Sequence, residues 1–367
     1  MNLLSLALRN LKRRPVRTCL SVLGIGLAVG GALVSMSLSR SIQDAAREGI
    51  EEIGSDLVVM HKGASDIFGG FIAEPTVERI AAISGVARVS GVLVAFDNNV
   101  VIFGWPGVSD LWKRVPLREG RVPAPGERQA AVLGSTAATS LGRKLNDEVE
   151  LFGETFRVVG IAGYASTVNR GLALVPLEDL QEGSYRPRHV TIASVTAEKS
   201  EDRTDLARIR GEIEALGNVI AATPDEVVDH DRNFAILDAA SRAIAIVALA
   251  VSALNVLTVL VLATHERTRE IGILAAIGWS NGRIMESIVI EGMLMCAIGC
   301  GLGVLFGFLA EYAFHRVPTI GDLISFKSSL GLIAPVISAA FVLCVLGALL
   351  PAWRAVRMLP AEALRRM

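Results

Sequence analysis

The stretch AIAIVALAVSALNVLTVLVLAT, Ala243–Thr264, runs for 22 positions without a charged side chain. A helix rises about 1.5 Å per residue, so this length crosses the roughly 30 Å hydrocarbon core of a bilayer. The same reading applies to Thr18–Ser39, held between Arg17 and Arg40, to Gly292–Ala310, and to Ser328–Trp353. A Lys, Arg or Asp at the centre of such a span costs roughly 2.5–3.5 kcal/mol on insertion scales. None of the four contains one. The expected fold class is therefore membrane α-helical, with four transmembrane helices and a large polar domain inserted between helices 1 and 2. Working outward, the chain divides into an amino-terminal segment 1–17, spans 18–40, 243–264, 288–310 and 328–353, the inserted domain 41–242, connecting loops 265–287 and 311–327, and a tail 354–367.

Composition fits this division. The apolar fraction is 51%, mean hydropathy is +0.49 and charged residues make up 20%. A net charge of −1 with no Lys/Arg tract excludes a strongly basic nucleic-acid binder. All four cysteines, Cys19, Cys296, Cys300 and Cys344, lie within the apolar spans, so the inserted domain has no thiol for a disulfide. Cys296 and Cys300 share a helix face without a neighbouring His or carboxylate, which reads as packing and not as metal ligation.

Basic residues near the span ends set the orientation. Arg9, Lys12, Arg13, Arg14 and Arg17 precede the first span, Arg267, Arg269 and Arg283 lie between the second and third, and Arg354, Arg357, Arg365 and Arg366 follow the fourth. The opposite side holds only Arg316 and Lys327 in its short loop. The positive-inside rule therefore places both termini in the cytoplasm and Ser41–Arg242 outside it. The first span is longer than the roughly 7–15-residue apolar core of a signal peptide. It continues into a helical pattern at Ile42, Ala45, Ala46, Ile50 and Ile53, and so reads as a retained helix extended by a stalk.

The inserted domain reads as α+β in two lobes. Strands are expected at Ser55–Met60, Val86–Ala95, Asn99–Trp105, Ala130–Leu133, His189–Thr196 and Val219–Ala222, with a hairpin over Glu148–Ala162 turning at Gly153-Glu154. Helices are expected at Thr76–Ser84, Ser135–Leu141 and Asp202–Leu216. A further helix should begin near Pro224 and run through Val227, Phe234 and Leu237 into the second span. The loops Arg114–Glu127 and Thr167–Gly171 are taken to separate the lobes.

No catalytic residues can be assigned. The chain has no G-x-x-x-x-G-K-[ST] phosphate loop and no H-E-x-x-H pair. Asp229, His230 and Asp231 are adjacent and would point in different directions on a helix, which suits a solvated stalk surface. Glu291 lies at the edge of the third span, where an interfacial or packing role competes with a proton relay.

Two patterns remain. Gly26 and Gly30 are four apart, and Gly299, Gly303 and Gly307 extend that spacing over two turns. Small-x-x-x-small faces let helix backbones approach closely in lipid, either within one four-helix bundle or between two subunits. The loop after the second span reads ERTREIGILAAIGWS, Glu266–Ser280. Charged Glu266, Arg267, Arg269 and Glu270 open it; Ile273, Leu274 and Ile277 follow, too few to span; Gly278 is placed to end a helix and Ser280 or Asn281 to start the next. Such a short amphipathic helix either docks on another protein or lies at the lipid surface.

Taken together, these segments resemble the permease subunits of the MacB/FtsX-type ABC transporter family. The resemblance is carried by Ala7-Leu8-Arg9-Asn10-Leu11 and Arg14-Pro15-Val16-Arg17-Thr18 at the start and by Glu266–Ser280. It extends to Ile288–Gly307, with Glu291 and its glycines, and to Pro351-Ala352-Trp353-Arg354-Ala355 through Arg365. It implies a MacB-like periplasmic domain over 41–242 and an FtsX-like permease domain over 243–367. It further implies a permease dimer in a bacterial inner membrane, with Glu266–Ser280 coupled to a separate ATPase subunit. ATP and Mg would bind that partner, and no cofactor would bind this chain directly. The second permease copy could be identical or a paralogue, with a periplasmic adaptor and an outer-membrane channel as further partners. The function implied is ATP-driven motion of the external domain, for export or extraction of a lipid-like, peptide or drug substrate. Two stalks on a domain without disulfides, and spans without central charges, lead to the expectation that ATP state changes the spacing of stalks Gln43–Ile53 and Asp225–Ala239. The alternative is an FtsX-like signalling subunit that activates an extracytoplasmic cell-wall hydrolase; a two-lobed domain of this size favours the first.

The topology is open to a direct measurement. A cysteine placed at Ala124 should react with a membrane-impermeant maleimide added outside the cell; reaction only from the cytoplasmic side would reverse the assignment.

Overall fold

A computed structural model describes residues 3–64, 66, 69–98, 100–199, 202–316 and 330–357. These form two compact units, one built from residues 3–40, 238–316 and 330–357 and the other from residues 41–237. The chain opens with α1 (Leu3–Arg13) and α2 (Pro15–Ile53). Pro15 takes the first position of α2, where its missing N–H leaves no helical bond unmade. The expected first span and the expected stalk are therefore one continuous helix of 39 residues.

The inserted domain follows as β1 (Leu57–His61), β2 (Ile72–Ala73), α3 (Glu74–Ala81), β3 (Val86–Asp97), β4 (Val100–Trp105), a 3₁₀ turn (Asp110–Arg114) and β5 (Leu117–Gly120). Next come β6 (Ala130–Gly134), α4 (Ser135–Leu141), β7 (Glu148–Leu151), β8 (Glu154–Ala162), α5 (Thr167–Arg170), β9 (Leu172–Pro176) and α6 (Leu177–Gly183). It closes with β10 (His189–Val190), β11 (Ile192–Ala197), α7 (Arg203–Glu214) and β12 (Val219–Ala222). The main sheet runs β12-β1-β11-β3-β4-β9-β6-β8-β5, with β7 paired to β8. Alternation along each strand sends residues to opposite faces. Leu57, Leu93, Ile102 and Ala193 face a core shared with Ile80, Leu180 and Ile209 of the packed helices. On the other face Val94, Trp105 and Leu172 join Leu111 and Trp112.

Strand β3 links the two lobes. Its first half, through Val92, pairs with β11, and Leu93–Asp97 pairs with β4. The loops expected to separate the lobes instead lie within the second one, and they contain β5 and α5. The strand expected at His189–Thr196 divides at Thr191, whose hydroxyl accepts a hydrogen bond from Val94 N at 3.0 Å. The β7–β8 turn is made by Phe152-Gly153, at φ +53° and +73°, with Leu151 paired to Glu154. Asp202 caps α7 by accepting from Thr204 N, as Asp does readily at this position.

Helix α8 (Pro224–His230) begins with Pro224 behind a capping box made by Thr223 and Glu226. It does not continue into the next helix. Asp231 is extended and its Oδ1 accepts from Asn233 N at 2.8 Å, starting α9 (Arg232–Glu266). Asp231 is thus a buried N-cap and not part of a solvated surface. Its short carboxylate competes for backbone N–H groups more effectively than helix continuation does. The chain then forms α10 (Thr268–Ala276), α11 (Asn281–His315) and α12 (Leu330–Arg357). Among the described residues α2, α9, α11 and α12 are long and apolar enough to cross a membrane. The start of the fourth expected span, most of the loop 311–327 and the tail beyond residue 357 lie outside the described residues.

Gly26 and Gly30 of α2 meet Gly299, Gly303 and Gly307 of α11 within this chain. A Cβ on Gly303 would lie 2.7 Å from Val29 Cβ and 2.9 Å from Gly26 O, and one on Gly30 would lie 2.9 Å from Gly303 O. A Cβ on Gly301 would meet nothing within 4 Å. Gly301→Ala should leave the melting temperature in detergent unchanged or slightly raised through helix propensity. Gly303→Ala should lower it, with an overpacking cost of about 1–3 kcal/mol. Equal behaviour of the two variants would remove the close-approach argument.

Candidate functional site

Helix α10 is short because Gly278, at φ +100°, ends it two residues after its last turn, while Ser280 Oγ accepts from Arg283 N and starts α11. Its inner side carries Ile271 and Ala275, packed on the core of the helical unit. Leu274 joins Ile271 at a small cavity lined also by Leu6, Trp279, Ile284 and Ile288. Its outer side presents Ile273 and Ile277, 44% and 73% exposed, beside exposed Arg269.

Three of the loop's charged residues pair within the same unit. Glu266 accepts from Arg14 at 2.7 Å and from Arg17 at 2.9 Å. Glu270 pairs with Arg267 at 2.9 Å and with Arg13 at 3.4 Å. Arg267 reaches Glu291 at 3.2 Å. The Asn10 amide, turned so that its oxygen faces the guanidinium, accepts from Arg267 at 2.8 and 3.0 Å. Glu291 is 5% exposed, which fits the packing role among those expected and not the interfacial one: it is a buried carboxylate held by a cation. Pairs on the rim are worth about 0–1 kcal/mol each, whereas an unpaired buried charge costs far more.

Of the loop residues singled out from sequence, Glu266, Arg267 and Glu270 are thus engaged within their own unit. Leu274 is half-buried, while Ile273, Ile277, Arg269 and Gly278 face outward. The partners Arg13, Arg14 and Arg17 were read from the sequence as orientation signals, with Arg14 and Arg17 also carrying the resemblance, and not as partners of the loop. Their opposite sign to Glu266 and Glu270 was the available clue. Cys296 and Cys300 lie with their sulfurs 3.8 Å apart in the buried interior beside buried Cys344.

In the α/β unit, the last turns of α2 are clamped. Glu52 accepts from Ala165 N at 2.7 Å and Asn169 Nδ2 at 3.0 Å. Asn169 also donates to Gly49 O at 2.9 Å. Arg114 covers the helix end by donating to Ile53 O at 3.1 Å and Gly54 O at 2.6 Å. Arg47 pairs with Asp229 and, at 3.4 Å, with Asp225 of α8.

The buried pair makes a stability prediction. Arg267→Met should leave Glu291 without its cation and cost about 3–5 kcal/mol, read as a lower melting temperature in detergent. Adding Glu291→Leu should recover much of that loss. Full stability of the single variant would show that Glu291 does not depend on Arg267.

Two family models match the chain. The MacB-like periplasmic core domain matches residues 18–216. The FtsX-like permease C-terminal domain matches residues 242–360. An uncharacterised ABC transporter permease of Mycobacterium tuberculosis is 27% identical over 86% of this chain and 88% of its own length. The macrolide export ATP-binding/permease protein MacB of Rhodospirillum rubrum is 27% identical over 98% of this chain, which spans 60% of that relative's length. The periplasmic region of MacB from Actinobacillus actinomycetemcomitans covers 50% of the chain at 15% identity and a TM-score of 0.39. With matched domains over both the insertion and the last three membrane helices, the chain belongs to the multi-pass ABC transporter permeases of the MacB/FtsX type.

Proposed function

We propose that this permease couples ATP binding and hydrolysis on a separate ATPase subunit to motion of an extracytoplasmic domain, exporting or extracting a lipid-like, peptide or drug substrate. In this reading residues 41–237 face outside the inner membrane and α10 meets the ATPase. The observation that carries it is the division of labour on α10. Glu266, Arg267 and Glu270 are paired within their own unit, while Ile273 and Ile277 remain exposed beside Arg269 on a helix too short to span. Exposed aliphatic side chains on a helix anchored from behind suit a shape-matched, desolvated contact with a partner groove. Leu274 is a poor probe of that contact because it lines the internal cavity.

The clamp around α2 supports the second half of the reading. One helix holds both the first span and the residues gripped by α5 and Arg114. A tilt of α2 would therefore load the sheet through hydrogen bonds to Glu52, Gly49 and Ile53. The second permease copy, an adaptor and an outer-membrane channel belong to the same proposal.

ATP hydrolysis co-purifying with the tagged full chain should fall at least ten-fold in Ile273→Asp and Ile277→Asp, because each puts an unpaired charge into an apolar contact. Membrane insertion should be unaffected. Wild-type levels of co-purifying activity in both variants would remove α10 as the docking element.

A further inference from the structure

The α/β unit contains a cavity of about 880 Å³, counted to its open mouth, between the sheet face of β1, β11, β3, β4 and β9 and the helices α2, α5 and α8 with Phe234. Protein interiors pack like organic crystals and leave few voids larger than a water molecule. Of the cavity's space, about 110 Å³ is open to the centre of a water-sized sphere, several times the roughly 10–15 Å³ that a single water needs.

Its chemistry is one-sided. Ile50, Val94, Val101, Phe103, Ile192 and Phe234 are typical of its walls, and no charged side chain lines it. Three polar side chains are present, each engaged with protein. Ser55 and Ser194 share a hydrogen bond of 2.5 Å, and Asn169 donates to Gly49 O and Glu52. Trp105 is the exception. It stands in the cavity wall, 2% exposed, and its indole Nε1–H is buried without a hydrogen-bond partner. A buried donor left unmet costs about 1–3 kcal/mol, which a bound acceptor would relieve.

We propose that this cavity binds one uncharged lipophilic molecule of acyl-chain type, whose ester or amide oxygen accepts from Trp105 Nε1. The apolar walls take the hydrocarbon, and the single unpaired donor selects a neutral acceptor. An ionised headgroup finds no counter-charge and stays at the mouth or is rejected. The site stands whether or not α10 docks an ATPase, because every wall residue belongs to the inserted unit.

The test uses the full chain in lipid nanodiscs. In one arm a diazirine-bearing decanoyl methyl ester is added from solution; in the other the diazirine is carried on the acyl chain of phosphatidylcholine in the disc. Adducts are mapped by peptide mass spectrometry. Saturable labelling of the Val92–Trp105 hairpin, competed by unlabelled methyl decanoate and at least ten-fold less well by the decanoate anion, is expected. Labelling from the phospholipid identifies a membrane lipid as the source, and labelling from the free ester identifies a soluble lipophile; either supports the site. Trp105→Phe, which keeps the ring and removes the N–H, should raise half-saturation about five-fold, the value of one neutral hydrogen bond. Ala46→Phe, filling the space from α2, should abolish labelling while melting as the wild type does. Adducts confined to the membrane spans, equal competition by the anion, or wild-type labelling of both variants would overturn the proposal.

Discussion

A carboxylate taken out of water must find a cation, and Glu291 is where the helical unit meets that requirement. Its partner, Arg267, stands at the junction of α9 and α10 and is held in turn by Asn10 of α1. One buried pair therefore fixes three elements that lie far apart in sequence. Around it the rim pairs of Arg13, Arg14 and Arg17 with Glu266 and Glu270 add little energy singly. They do, however, determine which side of α10 is left available. The helix cannot roll so as to turn Arg267 outward without stripping Glu291 of its cation.

This has a consequence for how the loop should be read. A charged, amphipathic segment following a membrane span invites the view that its charges recognise a partner. Here Glu266, Arg267 and Glu270 set the pose of α10, and the aliphatic pair Ile273 and Ile277 is what the pose exposes. The glycine contacts play a comparable role between α2 and α11. Without a hydrophobic drive between helices in lipid, contact depends on close backbone approach, and Gly26, Gly30 and Gly303 remove the side chains that would prevent it.

The spans were legible because bilayer thickness imposes a length and a composition that few other structures share. Short local signals also read well. Thr223-Pro224 began a helix, Gly278 ended one, and Ala130–Leu133 formed a buried strand because each is decided within a few residues. What failed depended on distant partners or on competition between two local rules. Asp231 could sit in a continuing helix or cap a new one, and sequence spacing favoured the first while the backbone N–H groups of Asn233 and Phe234 decided for the second. The role of β3 as the strand shared by both lobes depends on which strands pair with its two halves. The partner of Glu291 is Arg267, more than twenty positions away, and no periodicity reports it.

The clamp on α2 and the cavity beside it occupy the same few turns, and this links the two proposals physically. Gly49 and Ile50 both line the cavity, and Gly49 O is also the acceptor for Asn169. Val227 of α8 and Phe234 in the first turn of α9 also line it. The segments that continue as the first and second spans thus both contribute walls to one apolar site. A ligand shifts a conformational equilibrium only through its different affinity for the two states. If movement of α2 or α9 changes the width of this cavity, an occupant must favour one position of those helices over the other. By reciprocity, the position of the helices must then change affinity for the occupant. A rigid, pre-filled wall would carry no such linkage, and an apolar space bordered by both stalk segments is what makes the linkage physically available.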